Sequence, residues 1–170
     1  MNRIQTDPIT HEQTGGVRSR WMLVPPPLLY GLSFAGSLGL QRLLPFPLGG
    51  PALRHELAIA GIAICVAAAA LIISAPLIFL MARTTLIPQG EATSMIVGGP
   101  FRVSRNPMYL GLTLAYLGAT LLTNTGWPLL VLAFPLWVIA TRTIPFEERA
   151  MSRLFGEDYR SYQRRVRRWI

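Results

Sequence analysis

Residues 57–82 read LAIAGIAICVAAAALIISAPLIFLMA, a run of 26 positions without a charge. As an α-helix, rising 1.5 Å per residue, it would extend about 39 Å. About 20 apolar residues are enough to cross the hydrocarbon of a bilayer, so this stretch predicts a membrane span, with Pro76 bending it near its end. Two further uncharged runs flank it, at residues 21–40 and 106–141. A soluble fold can hide one such run in its core, but hardly three. Composition agrees: 51% of the 170 residues are hydrophobic and 14% charged, against roughly a quarter charged in a soluble domain.

The run at 21–40 starts with Pro25-Pro26-Pro27, which suits the beginning of a helix better than its middle. Gly31, Gly36 and Gly39 along it suit close helix contacts in lipid. The run at 106–141 is too long for one helix and holds the turn-forming sequence Thr123-Asn124-Thr125-Gly126. It divides into spans over 109–122 and 127–141, a tight helical hairpin. The expected fold is therefore all-α and integral to the membrane, with four transmembrane helices.

Every one of the 16 basic residues is arginine. With both termini in the cytoplasm, only Arg42 and Arg54 fall outside, and Arg3, Arg18, Arg20, Arg83, Arg102, Arg105 and all those from Arg142 onward fall inside. This asymmetry fixes the expected orientation, and two termini on one side require an even number of spans. The net charge of +8 flanks apolar spans, so the partner it implies is anionic lipid rather than nucleic acid. An arginine-only composition points to a GC-rich genome and so to a bacterial inner membrane. Oligomeric state is left open.

Beyond the fourth span, Met151, Leu154, Phe155, Tyr159, Tyr162, Val166 and Trp169 recur every three or four residues and share one helical face. Arginines cover the other face. This predicts an amphipathic helix over 146–170 lying at the membrane surface, interrupted by Gly156. Residues 1–20 contain no apolar core of a signal peptide and are expected to be a disordered cytoplasmic tail. The organisation is then a tail at 1–20, two spans within 21–82, and a functional core at 83–170.

Two polar clusters stand at span ends, where polar groups are costly and ask for a reason. One is the loop from Gly98-Gly99-Pro100-Phe101-Arg102 through Ser104-Arg105-Asn106-Pro107-Met108-Tyr109. The other is Glu147-Glu148, after Pro145. A hairpin between them makes them neighbours. Structural readings exist for each: a turn for the glycines, orientation markers for the arginines, and pairing with Arg149 and Arg153 or a helix-dipole role for the glutamates. The loop has neither the G-x-G-x-x-G spacing nor a preceding strand, which excludes a dinucleotide fold. The single Cys65, inside an apolar run, reads as packing. His11 and His55 lack metal-ligand spacing, and no metal site is expected.

The order of these pieces, from Gly99-Pro100-Phe101-Arg102 through Ser104-Arg105-Asn106-Pro107-Met108-Tyr109, a hairpin and Glu147-Glu148 to Leu154-Phe155-Gly156-Glu157-Asp158-Tyr159, Tyr162 and Val166, resembles the isoprenylcysteine carboxyl methyltransferase family and its phospholipid-methyltransferase relatives. The resemblance spans residues 84–170. It implies methyl transfer from S-adenosylmethionine to a lipophilic or membrane-associated small substrate at the cytoplasmic face. Carried over by position, it implies cofactor contacts from Phe101, Asn106, Pro107, Met108 and Tyr109, from Glu147 with Glu148 beside it, and from a region at 93–96. Arg105 and Arg142 are the catalytic candidates, as holders of an acidic substrate group. Asn106 stands where histidine is commoner in the family, and Thr143 where the prenylcysteine enzymes place a substrate arginine. Membrane sterol reductases, which use NADPH, resemble the same half of the chain but carry an acidic residue near the position of Gly111. A non-enzymatic membrane anchor is the third reading.

Overall fold

A computed structural model describes residues 24–81 and 95–170; the N-terminal tail expected at 1–20 and most of the connection after the second span lie outside the described residues. Helix α1, Pro26–Leu43, begins within the proline run, with Pro25 as its N-cap. A proline in the first turn gives up only an amide that the helix could not have bonded. The helix runs past Leu40 and ends just before Pro45 and Pro47, which cannot continue it. A short 3-10 turn at Pro51–Leu53 leads into α2, Arg54–Met81, with Pro76 inside it.

Helix α3, Pro107–Thr123, stops at Asn124, which takes the left-handed conformation with φ 50° and ψ 44°. Asparagine is among the few non-glycine residues that adopt it readily. The Asn124 side chain also bonds Gly49 in both directions, accepting from its N–H at 3.0 Å and donating to its carbonyl at 2.9 Å. Beside it the Gly126 N–H donates to the Phe46 carbonyl and the Trp127 indole N–H to the Leu44 carbonyl, both at 2.7 Å. The α1–α2 connection is thereby stitched to the turn after α3 at one end of the molecule.

The rest differs from expectation. A span over 127–141 and a separate surface helix were expected, but helical backbone runs from Trp127 to Arg165 without a loop. It consists of α4, Trp127–Val131, α5, Ala133–Val138, a π-helical turn at Ile139–Thr143, and α6, Ile144–Arg165. Its irregularities sit where proline withholds an amide: α4 gives way to α5 three residues before Pro135, and the wide turn ends two residues before Pro145. Gly156, at φ 53° and ψ −120°, divides α6, as its sequence position implied. The expected helix to residue 170 ends instead at Arg165, and Val166 is extended, because the carbonyls of the following residues bond to a loop rather than to a helical turn.

Helices α2 and α3 pack most closely, along small residues. A Cβ on Gly118 would lie 2.5 Å from Cys65 Sγ and 2.9 Å from the Gly61 carbonyl, and one on Gly61 2.8 Å from the Gly118 carbonyl. Cys65 is thus a packing residue at this seam. Tyr30, Tyr109, Tyr116, Leu132, Ile139 and Ile144 form the buried core between α1, α3 and the long C-terminal helix. Phe34 meets Tyr116 edge-on, with ring centroids 5.0 Å apart.

Around this core the apolar surface faces outward. Ile59, Ile62, Val66 and Ile73 of α2 are each more than half exposed. Among the described residues two helices, Pro51–Ile78 and Trp127–Arg165, are long and apolar enough to cross a membrane; their most apolar windows are only 11% and 22% buried. A soluble protein would bury such helices, and here the bilayer is the solvent they fit. Pro107–Thr123 is apolar but shorter.

Candidate functional site

The loop before α3 is shaped by Gly99, which sits at φ +57°, where a Cβ would come within 2.5 Å of Ile78 Cδ1. Both conformation and space call for glycine there. A 3-10 turn over Gly99–Arg102 follows, and the Phe101 carbonyl accepts a 2.6 Å hydrogen bond from the Tyr162 hydroxyl. Burial pushes the Tyr162 phenol up to about 12, so it stays a donor at neutral pH.

Asn106 occupies the N-cap of α3 but makes no side-chain cap bond, although asparagine is among the best capping residues. Its amide instead donates to the Arg168 carbonyl at 2.9 Å. Buried Ser104 donates to the same carbonyl at 3.3 Å and accepts the Asn106 N–H at 3.0 Å. The Arg105 N–H donates to the Arg167 carbonyl at 3.0 Å. Pro107, fully buried, opens the helix; Met108 is exposed at its surface, and Tyr109 faces inward.

The hairpin brings the two clusters together. The Tyr109 hydroxyl donates to Glu147 Oε1 at 2.5 Å. Behind it, Thr113 Oγ1 donates to the Tyr109 carbonyl at 2.9 Å and lies 2.9 Å from the Tyr30 hydroxyl of α1. Glu147 lies past the end of the apolar stretch. Burial holds its carboxyl above the ordinary range, the Tyr109 bond opposes this, and the neighbouring Glu148 charge adds to it.

Glu148 points elsewhere. Arg105 Nη1 lies 3.2 Å from its Oε1, and Arg168 donates Nη2 to Oε2 at 2.6 Å and Nε to Oε1 at 3.3 Å. Its partners are therefore Arg105 and Arg168, not the Arg149 and Arg153 that sequence proximity suggested. The Glu148 hydrogen bond holds the Arg168 guanidinium above its usual value. The Arg105 guanidinium also interacts with the Tyr159 hydroxyl, while its Nε, buried, has no hydrogen-bond partner among the described residues. A buried donor left open in this way costs free energy unless something accepts from it.

Arg142 is exposed on the π-helical turn and makes no ion pair among the described residues, and Thr143 is half-buried beside it. An open groove of about 510 Å³ lies between the two limbs of α6, lined by Glu148, Arg149, Ser152, Arg153, Arg160, Gln163 and Pro145. Of the region at 93–96, only residues 95 and 96 are described. The sequence does not set Arg168 apart, and it gives Tyr162 a place in the C-terminal motif but no role. Tyr162 was one aromatic on an amphipathic face, and Arg168 one of four arginines within five residues, with nothing local to set it apart.

Gly111 bears on the reductase reading. A Cβ there would lie 2.8 Å from Ile72 Cγ1 and 3.3 Å from the Ala68 carbonyl. The α2–α3 contact leaves no room for the acidic side chain such enzymes carry near that position.

A family model described as phospholipid methyltransferase matches residues 57–158, more than half of the chain. No curated protein and no solved structure matches it.

Proposed function

Because the chain belongs to the phospholipid methyltransferase family, and so is a membrane methyltransferase, we propose that it uses S-adenosylmethionine to methylate a lipophilic, membrane-associated small molecule at the cytoplasmic face of a bacterial inner membrane. Four spans, with both termini in the cytoplasm, are the topology this reading takes. The observation that carries it is Glu147, a half-buried carboxylate past the end of an apolar stretch, with Tyr109 as its hydrogen-bond partner. A carboxylate kept from water in this position fits a cationic ligand, because pairing offsets its desolvation.

The residues present fit the charged groups of that cofactor, whose ammonium and carboxylate sit on one carbon. Glu147 would hold the ammonium or ribose hydroxyls. The open Nε–H of Arg105, whose guanidinium shares Glu148 with Arg168, would donate to a carboxylate. Phe101, Asn106, Pro107, Met108 and Tyr109 form the loop and first turn beside these groups. Glu148, already bound by two guanidiniums, takes the part of holding Arg105 rather than of gripping the cofactor itself.

When bound, the cofactor supplies a methyl group on a positively charged sulfur. The protein's work is then alignment and exclusion of water. Holding nucleophile and methyl in line supplies much of the acceleration, and a dry site favours a step in which opposite charges are quenched. The apolar faces of the long helices would present the substrate's tail. Arg142, exposed at the span's end, and Arg149 and Arg153 in the groove are placed to meet an anionic group on it.

Calorimetric titration of the detergent-purified protein with S-adenosylhomocysteine tests this, with NADPH as control ligand. Saturable binding of the first alone, lost or severely weakened in Glu147→Gln, is the expected result. Wild-type affinity in that variant overturns the role of Glu147. Binding of NADPH alone overturns the methyl-transfer chemistry.

A further inference from the structure

We propose that Arg168 is a positioning residue of the cofactor site, and that residues 166–170 form a strap holding the loop at 104–106 in its binding shape; this rests on the cofactor reading above. The strap lies beyond residues 57–158, the part that matches the family, so its role is read from this chain's own geometry.

Arg168 works from both its ends. Its guanidinium takes Glu148 in two hydrogen bonds, at 2.6 and 3.3 Å, a fork-to-carboxylate arrangement that fixes orientation as well as distance. Its carbonyl accepts from Asn106 and Ser104, while the preceding carbonyl, of Arg167, accepts from the Arg105 N–H. Three consecutive loop residues are thus held by two consecutive strap carbonyls. Trp169, partly buried against the core, pins the strap from its far side.

The Asn106 side chain shows that this is more than incidental packing. At an N-cap it would ordinarily bond the first turn of its own helix. It turns away to the strap instead. Arg105 is set by the same device, with its backbone on Arg167 and its side chain on the Glu148 that Arg168 holds. Its Nη1 is thereby committed to Glu148 while its Nε is left open. Without Arg168, Glu148 would be free to swing with Arg105, and the open Nε–H would lose its fixed direction. The other C-terminal arginines lack this arrangement: Arg160 and Arg164, for instance, pair with Glu157 in full exposure.

The test uses the full chain in detergent, measuring S-adenosylhomocysteine affinity and thermal unfolding for Arg168→Gln, Arg168→Lys, Glu148→Gln and the Glu148→Gln/Arg168→Gln double variant. Losing a charge-assisted pair should weaken binding by about ten- to a hundredfold in Arg168→Gln. Arg168→Lys should recover part of the loss, since it keeps the charge but not the fork. The double variant should bind no more weakly than the worse single one, because both substitutions break the same contact. Wild-type affinity in Arg168→Gln, or losses that add in the double variant, overturn the proposal while leaving the cofactor reading standing. A wild-type protein that does not bind S-adenosylhomocysteine overturns both.

Discussion

Tyr109 in the first turn of α3 and Glu147 in the first turn of α6, 38 residues apart, are joined by a 2.5 Å hydrogen bond from phenol to carboxylate. That bond closes the cytoplasmic end of the hairpin in the orientation proposed here. It also gives a half-buried acid a partner that opposes the upward shift of its pKa.

Two opposite pH dependences follow from Glu147. Burial raises its carboxyl pKa, so folding favours the protonated form relative to the unfolded chain. Its contribution to the stability of the ligand-free protein should therefore be greatest below the ordinary carboxylate range and decline as pH rises through the elevated value. Affinity for a cationic ligand needs the carboxylate and should rise over the same interval. Calorimetric affinity measured against pH checks this. Tyr109→Phe, which removes the opposing hydrogen bond, should move the midpoint to higher pH and weaken binding about tenfold at neutral pH. A flat profile in the wild type would contradict the assignment of Glu147.

Gly156 offers a test of backbone conformation free of packing. It sits at φ +53°, and a Cβ there would touch nothing within 4 Å. Gly156→Ala should cost about 1–3 kcal/mol through backbone strain alone, read as a lower unfolding midpoint. Gly31→Ala is the matched control: a Cβ on Gly31 also meets nothing within 4 Å, but this glycine lies in α1 without a positive φ. It should be neutral or slightly stabilising. Equal effects at the two positions would show that the bend in α6 relaxes without penalty.

At the α2–α3 seam the obstacle is partly a side chain and partly backbone. Gly118→Ala would place a methyl 2.5 Å from Cys65 Sγ and 2.9 Å from the Gly61 carbonyl. The helices must then separate, at about 1–3 kcal/mol for overpacking. Adding Cys65→Ala removes the sulfur but not the carbonyl, so unfolding of the double variant should be rescued only in part. Full rescue would mean that the backbone contact is loose.

The features that could be read in the sequence are those set by local chemistry. Uncharged length marked the apolar helices, Asn124 and Gly126 the hairpin turn, and Gly156 the break in α6. The meeting of the loop with Glu147 and Glu148 needed only the hairpin. Which carboxylate meets which partner was not legible. Glu147 and Glu148 are adjacent, and about 100° of helix rotation decides that one faces Tyr109 and the other Arg105. The absence of a loop after residue 141 was hidden as well, because Pro145 reads as a stop, whereas a widened turn before it lets the helix continue. The end of α6 at Arg165 depends on hydrogen bonds to residues about 60 positions earlier, and no helix-period pattern records such a contact.

The pairing of Arg168 with Ser104, Asn106 and Glu148 also sets an order of events in biosynthesis. Chain emerges at some 5–20 residues per second, and earlier parts organise first. All the apolar helices will therefore have been made, and can settle among the lipids, while the loop at 104–106 still lacks the carbonyls it bonds. The proposed binding site would be the last region to take shape. A nascent chain stalled before residue 168 would be a fully inserted protein with an unfinished loop.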